Sequence, residues 1–174
     1  MFKRIVLGLL AMLLMLAAAV AVNTWRHGSR QLQVAPLAPM KVDEAAVAER
    51  LAQAVRLPTV SSATDAQLNA DQFRALHALL QKQFPRVHAS LKRELVNDLS
   101  LLYTWEGSDP KANAIVLLAH QDVVPIAPGT EGDWQQPPFA GLVKDGYVWG
   151  RGSWDDKGNL LAQLEAVEQL LAEG

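Results

Sequence analysis

The chain opens with a continuous apolar run that has no counterpart later in the sequence. The run covers Ile5–Val22, 18 residues that follow Lys3 and Arg4 and precede Asn23. Its length is near the minimum needed to span a bilayer and exceeds the usual apolar region of a cleaved signal. We therefore predict a signal anchor or transmembrane helix over residues 1–22, with the membrane as its partner and the remaining protein outside the cytoplasm.

A cleaved signal is the alternative interpretation of this run, and it predicts a secreted or periplasmic protein. Ala19-Val20-Ala21 resembles the small-residue motif at which signal peptides are cut. Arg26 and Arg30 also weaken the orientation signal of the two basic residues that precede the run. A buried core helix is disfavoured, because such helices seldom open a chain behind two basic residues.

The next segment, residues 23–42, has no sustained hydrophobic period and contains Gly28, Pro36 and Pro39. Such a composition is typical of a linker between a membrane segment and a folded domain. We expect the globular part to begin at residue 43 and to occupy residues 43–174.

Three segments of the globular part have the spacing of amphipathic helices. The first follows Asp43, a suitable N-cap, and stops before Pro58. The second is predicted over residues 65–83 and is closed by Pro85, and the third begins at Lys157. Their apolar faces are formed by Val47, Leu51, Ala54 and Val55, by Phe73, Leu76, Leu79, Leu80 and Phe84, and by Leu160, Leu161, Leu164, Val167, Leu170 and Leu171.

Between these helices the pattern changes to that of strands. Leu91–Val96 and Leu99–Trp105 flank Asn97-Asp98, and residues 141–144 and 147–149 flank Asp145-Gly146, so two tight hairpins are predicted. Residues 114–119 form a continuous apolar run, as expected of a central strand buried on both faces. This strand would deliver His120 to the carboxyl edge of an α/β sheet, where ligands bind. The third helix has no following strand to cover its far side, which suggests a truncated domain.

Composition excludes several classes of function. The 174 residues carry a net charge of −2 with scattered basic side chains, so no nucleic-acid partner is expected. The sequence has no cysteine, which excludes disulfides and thiolate metal sites. Any transition metal must therefore be held by histidine and carboxylate side chains.

His120 and Asp122 are the first candidates for chemistry. In extended backbone, residues two positions apart point to the same face, so the imidazole and the carboxylate can touch. A metal-bound histidine usually donates its other ring N–H to a carboxylate, and this favours an orienting role for Asp122. An isolated His-x-Asp motif is otherwise more often a pair of solvated residues.

A second cluster lies at Gly150–Gly158, where paired carboxylates precede a helix. Asp156 is as well suited to helix capping as to a functional role. Asp155 is a candidate for bridging two cations, because a carboxylate has two oxygens. Trp154 is interpreted either as a wall of a substrate cleft or as a packing residue. His27, His77 and His88 have no carboxylate partner in a recognisable pattern, so we interpret them as solvated.

The two clusters together resemble the M20 family of zinc metallopeptidases and amidohydrolases, and within it the carboxypeptidase S-like branch. The matching segments are Leu118–Pro125, Trp134 with Pro137–Gly141, Trp149–Asn159 and Leu57–Ser61. The resemblance implies the N-terminal half of a zinc-peptidase catalytic domain, an α/β fold with a mixed, mostly parallel central sheet flanked by helices.

The resemblance also implies a mechanism and a substrate class. It implies two zinc ions, with His120 and Asp155 as metal ligands and Asp122 as the catalytic residue that orients His120. A bridging water would hydrolyse an amide bond next to a free carboxylate, in a peptide C-terminus or an N-acyl amino acid. The family's Glu-Glu pair, a further acidic ligand and a distal histidine have no match in this sequence. A catalytically incompetent, membrane-tethered peptide- or metal-binding module is the alternative if the chain ends at residue 174.

Overall fold

A computed structural model describes residues 1–29, 31, 33–36 and 41–173. The chain divides into two compact units, Met1–Met40 and Lys41–Gly174. The first contains helix α1, Phe2–His27, which is long and apolar enough to cross a membrane and has no buried residue. It continues five residues beyond the predicted end at Val22, because no helix breaker occurs before Gly28. Of the predicted linker residues, Pro39 lies outside the described residues, as does Arg30.

Four helices form the core of the second unit. Helix α2 is Glu44–Val55, and the Asp43 side chain caps it by accepting a hydrogen bond from the Ala46 amide at 3.1 Å. Helix α3 is Ala70–Gln83 and begins five residues later than predicted, after Asn69 in a left-handed conformation. Pro85 closes α3 as expected, but it also begins a short helix, α4 (Pro85–Ser90), which the sequence analysis did not predict. Helix α5 is Lys157–Glu173.

The helices pack their predicted apolar faces against one another. Leu76, Leu80 and Phe84 have no exposed surface, and each full burial of such a side chain stabilises the fold by about 1.5–3 kcal/mol. The cluster is completed by residues of α2, α4 and α5, namely Ala54, Val87, Leu161 and Leu164. Leu170 is half exposed, at 50%, and so lies off the buried stripe of α5.

Both predicted hairpins are present. Strands β1 (Lys92–Val96) and β2 (Ser100–Thr104) are antiparallel, and the turn residues Asn97 and Asp98 have φ values of 49° and 66°. Strands β3 (Leu142–Lys144) and β4 (Tyr147–Trp149) pair around Asp145 and Gly146, with φ values of 54° and 79°. In the two-residue loop between β3 and β4, successive positive φ values are the signature of the turn that matches strand twist. Three residues, 97–99, separate the paired residues Val96 and Ser100 in the other hairpin.

The predicted central strand at residues 114–119 is not formed among the described residues. Ile115 and Leu118 are 86% and 79% exposed, and the described sheets are the two hairpins alone. A strand that is apolar on both faces needs neighbouring strands and a layer on each side, and the described residues supply neither. The described residues therefore do not show the predicted strand buried on both faces.

One parallel contact does lie just beyond this segment. Val60 and Val123 form an isolated parallel bridge, and the Val123 amide donates to the Thr59 carbonyl at 2.9 Å. The buried Thr59 hydroxyl donates to the Gln121 carbonyl at 2.6 Å. These contacts hold Thr59 and Val60, which follow α2, beside the residues that follow His120.

Candidate metal centre

The turn that carries Asp155 is held close to two other parts of the chain by glycines. Gly150 and Gly152 have φ values of 149° and 84°. A Cβ atom at Gly152 would lie 2.5 Å from Val123 Cγ1, and one at Gly150 would lie 2.4 Å from Val55 Cγ1. Side chains at these positions would push the turn away, so the glycines permit the close approach.

This turn brings together His120 and Asp155, which are 35 residues apart in the sequence. His120 Nε2 lies 2.9 Å from Asp155 Oδ1, and the two side chains are 51% and 81% exposed. Two groups with metal-binding chemistry therefore converge at an accessible position. Trp154, which directly precedes Asp155 in the turn, is 90% exposed, so it does not pack in the core.

The second nitrogen of the His120 ring contacts Asp122. His120 Nδ1 lies 3.1 Å from the Asp122 carboxylate and 3.0 Å from its carbonyl oxygen. Burial on its own would lower the pKa of His120, but the hydrogen bonds and negative charges of Asp155 and Asp122 outweigh it and raise the pKa. Asp122 thus occupies the position expected of a residue that orients a metal-binding ring.

Ser61 is a contact of Asp122 to which the sequence analysis assigned no role. Its hydroxyl donates to Asp122 Oδ2 in a short hydrogen bond. The bond is a consequence of the parallel contact between residues 60 and 123, which places the two segments side by side. The segment Leu57–Ser61 was part of the family resemblance, but spacing alone does not reveal its contact with Asp122.

Asp156 does not cap helix α5 in the usual way. Its Oδ2 atom accepts a hydrogen bond from the main-chain amide of His120 at 3.1 Å and lies 3.4 Å from Asn159 Nδ2. Among the described residues, no helix amide bonds to this carboxylate. Asp156 therefore binds the main chain of His120, and this contact is neither a helix cap nor a metal contact.

Lys157 fastens the start of α5 to the end of α2. The side chain is fully buried, and its ammonium donates to the carbonyls of Ala54 and Leu57 at 2.9 and 2.6 Å. Burial lowers the pKa of Lys157 to about 8, because the charged form loses its hydration. Ala54 lies in the last turn of α2, so the ammonium lies at the C-terminal end of a helix, where a cation is favoured.

His77 was predicted to be solvated, and this is wrong. It is 6% exposed, and its Nε2 atom lies 2.7 Å from Gln121 Oε1. Burial lowers the pKa of His77 because it disfavours the charged ring. The residue lies four positions after the buried Phe73, so it falls at the edge of the apolar face of α3. Gln121 Nε2 donates in turn to the Leu99 carbonyl at 2.9 Å.

The other two histidines differ from each other. His27 is exposed at the end of α1, in agreement with the prediction. His88 lies in α4, and its ring contacts the Phe84 carbonyl at 2.8 Å and the Tyr103 hydroxyl at 2.9 Å. The prediction of a solvated His88 is therefore wrong, because α4 was not foreseen.

Two neighbouring cavities adjoin the candidate site. A cavity of about 230 Å³ is lined by His120, Asp122 and Asp155 together with residues 150–154. A second, of about 460 Å³, has aromatic walls, Trp134, Tyr147 and Trp149, and shares Gly150 and Ser153 with the first. The geometry leaves room for a small organic molecule beside the converging donors.

The donor set fits part of a zinc site. An imidazole nitrogen and a carboxylate are ordinary zinc ligands, and the Nδ1 contact of His120 is the one a bound histidine usually makes. Among the described residues, no group of three potential ligands converges, whereas a catalytic zinc usually has three from protein. The described residues thus supply some of the ligands and not a complete set.

Comparisons with known proteins identify relatives of this chain. The family described as Peptidase family M20/M25/M40 matches residues 116–174. Carboxypeptidase S of Saccharomyces cerevisiae is 47% identical over 133 residues, covering 72% of this chain and 23% of that protein. The N-fatty-acyl-amino acid synthase/hydrolase PM20D1 of Homo sapiens is 38% identical over 170 residues, covering 95% of this chain and 33% of that protein.

A solved structure shares the fold. The M20 family metallo-carboxypeptidase Sso-CP2 from Sulfolobus solfataricus superimposes with a TM-score of 0.55 at 21% identity, covering 76% of this chain and 28% of that one. The chain spans between 23% and 33% of the length of the two curated relatives described above. The resemblance to the M20 peptidase family that was predicted from the sequence is therefore confirmed.

Proposed function

We propose that the protein containing this chain is a two-zinc hydrolase that cleaves an amide bond next to a free carboxylate. The observation that carries the proposal is the convergence of His120 Nε2 on Asp155 while His120 Nδ1 contacts Asp122. These contacts support His120 and Asp155 as metal ligands and Asp122 as the carboxylate that orients His120.

The relatives support a hydrolase and suggest the substrate class. Carboxypeptidase S is named for the removal of C-terminal residues from peptides, and the human relative is named a synthase and hydrolase of N-fatty-acyl amino acids. Both kinds of substrate have an amide bond beside a free carboxylate. We propose this shared group as the recognised chemistry, with a C-terminal peptide or an N-acyl amino acid as the substrate.

Each residue of the site has a distinct role in this proposal. His120 would hold zinc, and Asp155 would be a ligand shared by the two zinc ions. Asp122 fixes the tautomer and the orientation of the His120 ring, and Ser61 holds the Asp122 carboxylate. When bound, the zinc ions would polarise the scissile carbonyl and lower the pKa of a bridging water.

The remaining parts of the site would come from residues outside this chain. The family resemblance implies a Glu-Glu pair with the general base, a further acidic ligand and a histidine. We also propose that residues 114–119 become a strand of the mostly parallel central sheet in the complete domain. The exposure of Ile115 and Leu118 supports this, because apolar side chains on both faces gain stability only when covered.

We further propose that α1 anchors the protein to a membrane, with the catalytic unit on the extracytoplasmic side. Support comes from the length and apolarity of the helix and from the exposure of its apolar side chains. A reporter fused behind the catalytic unit should be extracytoplasmic. A mature protein that begins near Val22 and washes off membranes would replace the anchor with a cleaved signal.

A second candidate function is a peptide- or metal-binding module without turnover. It is favoured by the incomplete set of ligands among the described residues. The full-length protein should be analysed for zinc by mass spectrometry and assayed with a panel of C-terminal dipeptides and N-acyl amino acids. Two zinc ions and amide hydrolysis support the enzyme. Binding of a panel compound without hydrolysis would support the module.

A further inference from the structure

Side chains at the start of α5 form hydrogen bonds with the main chain just before and at His120. The Leu118 carbonyl accepts hydrogen bonds from Asn159 Nδ2 at 3.2 Å and from Gln163 Nε2 at 2.9 Å. Two residues later, the His120 amide donates to Asp156 Oδ2 at 3.1 Å. We call the side chains of Asp156, Asn159 and Gln163 the α5 clamp.

The members of the α5 clamp also bind one another. Asn159 Nδ2 lies 3.4 Å from Asp156 Oδ2, and Gln163 Nε2 donates to Asn159 Oδ1 at 3.1 Å. The amide of Asn159 is therefore oriented by Asp156, and the amide of Gln163 is oriented by Asn159. A connected set of this kind holds its target more rigidly than separate hydrogen bonds would.

The α5 clamp takes the place of a neighbouring strand. In a parallel ladder, the carbonyl of one residue and the amide two residues further on bind the same residue of the adjacent strand. Here the Leu118 carbonyl and the His120 amide are bound by helix side chains instead. The Leu118 carbonyl and the His120 amide thus have hydrogen-bond partners without a neighbouring strand.

We propose that Asp156 is a positioning residue that acts through the main chain of His120 and is not a metal ligand. Asp155 contacts the His120 ring and Asp156 contacts the His120 amide, so adjacent residues fix both ends of His120. The α5 clamp then sets where Nε2 meets Asp155. This inference rests on the proposed function, since it assigns the clamp to the same metal site.

The test compares four variants of the full-length protein. Asp156→Asn keeps an oxygen acceptor for the His120 amide, whereas Asp156→Ala removes it. Gln163→Met removes one of two donors to the Leu118 carbonyl. Gln169→Met is the matched control on the same helix, because its amide contacts Glu173 and no residue of the site.

Zinc affinity, measured by competition with a chelator, is the first measurement. Asp156→Ala should weaken binding roughly 10–100-fold, as expected for loss of a supporting residue. Gln163→Met should weaken it by less than about tenfold, because Asn159 still binds the carbonyl. Asp156→Asn and Gln169→Met should retain zinc, and their cobalt-substituted forms should keep the wild-type absorption spectrum. Equal loss of zinc in Asp156→Asn and Asp156→Ala would make Asp156 a ligand and overturn the proposal.

Amide hydrogen exchange at His120 is the second measurement, and it does not depend on zinc. Asp156→Ala should speed exchange of this amide, while Asp156→Asn should keep it protected. Unchanged exchange in Asp156→Ala would overturn the α5 clamp. A wild-type protein that binds no zinc but shows the expected exchange pattern would overturn the proposed function and support the clamp.

Discussion

Helices α2–α5, which we call the helical support, differ from the candidate site in how their residues are held in place. Leu76, Leu80 and Phe84 of the support have no exposed surface, while the side chains of His120 and Asp155 are 51% and 81% exposed. Burial fixes the first group and hydrogen bonds fix the second. Stability and chemistry are therefore carried by different residues, and substitutions in one region should leave the property of the other region largely intact.

The largest effect is expected from Asp155→Ala in the full-length protein. Without the bridging carboxylate the two cations lose their shared anion and repel each other, so at least one zinc should leave and activity should fall to background. The unfolding midpoint of the metal-free protein should hardly change, because the side chain is exposed. Metal analysis and thermal unfolding provide the measurements. Asp71→Ala, which removes a carboxylate 94% exposed on α3, is the control. Two zinc ions retained in Asp155→Ala would contradict the bridging role.

The opposite separation is expected from Leu80→Ala in the support. This substitution leaves a cavity between the helices and should lower the free energy of unfolding by about 2–5 kcal/mol. The folded fraction should keep its zinc, because no contact of the site is removed. Leu170→Ala, at a half-exposed position on α5, should change stability by no more than about 0.5 kcal/mol. Denaturant unfolding measures both. Zinc loss from fully folded Leu80→Ala would show that the two regions are not separable.

A smaller effect is expected from Asp122→Asn, which tests the orienting role. The variant keeps an oxygen near His120 Nδ1 but loses the negative charge, so zinc should largely remain and activity should fall by about 10–100-fold. Steady-state rates and metal content together distinguish this residue from Asp155. Complete loss of zinc would place Asp122 among the ligands.

The smallest effect is expected from Ser61→Ala. The Asp122 carboxylate loses one hydrogen bond but keeps its contact with His120, so activity should fall by less than about tenfold. Ser62→Ala, whose hydroxyl contacts Thr64 and Asp65 instead, should retain the wild-type rate. An equal rate for Ser61→Ala and the control would remove Ser61 from the site.

Features that depend on neighbouring residues could be predicted from the sequence. The Asp43 cap and the turns at residues 97–98 and 145–146 follow from local conformational preferences, and the structure confirms them. Pro85 shows the limit of such signals, because proline is as well suited to the first turn of a helix as to its end.

Features that depend on distant residues could not be predicted. The contacts of Ser61 with Asp122, of His77 with Gln121 and of Asp156 with His120 form only after separate segments are packed side by side. His120 was proposed from its spacing to Asp122, and Asp155 from its place before a helix, but their assignment to one metal site depended on the family resemblance. Residues 114–119 have a strand-like pattern, but such a strand needs neighbouring strands and a covering layer on each face, and the described residues provide neither.

Gly152 sets a spacing in this molecule through the side chain that it lacks. A Cβ atom there would lie 2.5 Å from Val123, so the two loops that bear Asp155 and His120 approach to the limit that a bare backbone permits. Only a hydrogen atom at this position fits between the two loops. Any larger residue at position 152 would press against Val123 and is therefore expected to increase the distance between His120 and Asp155.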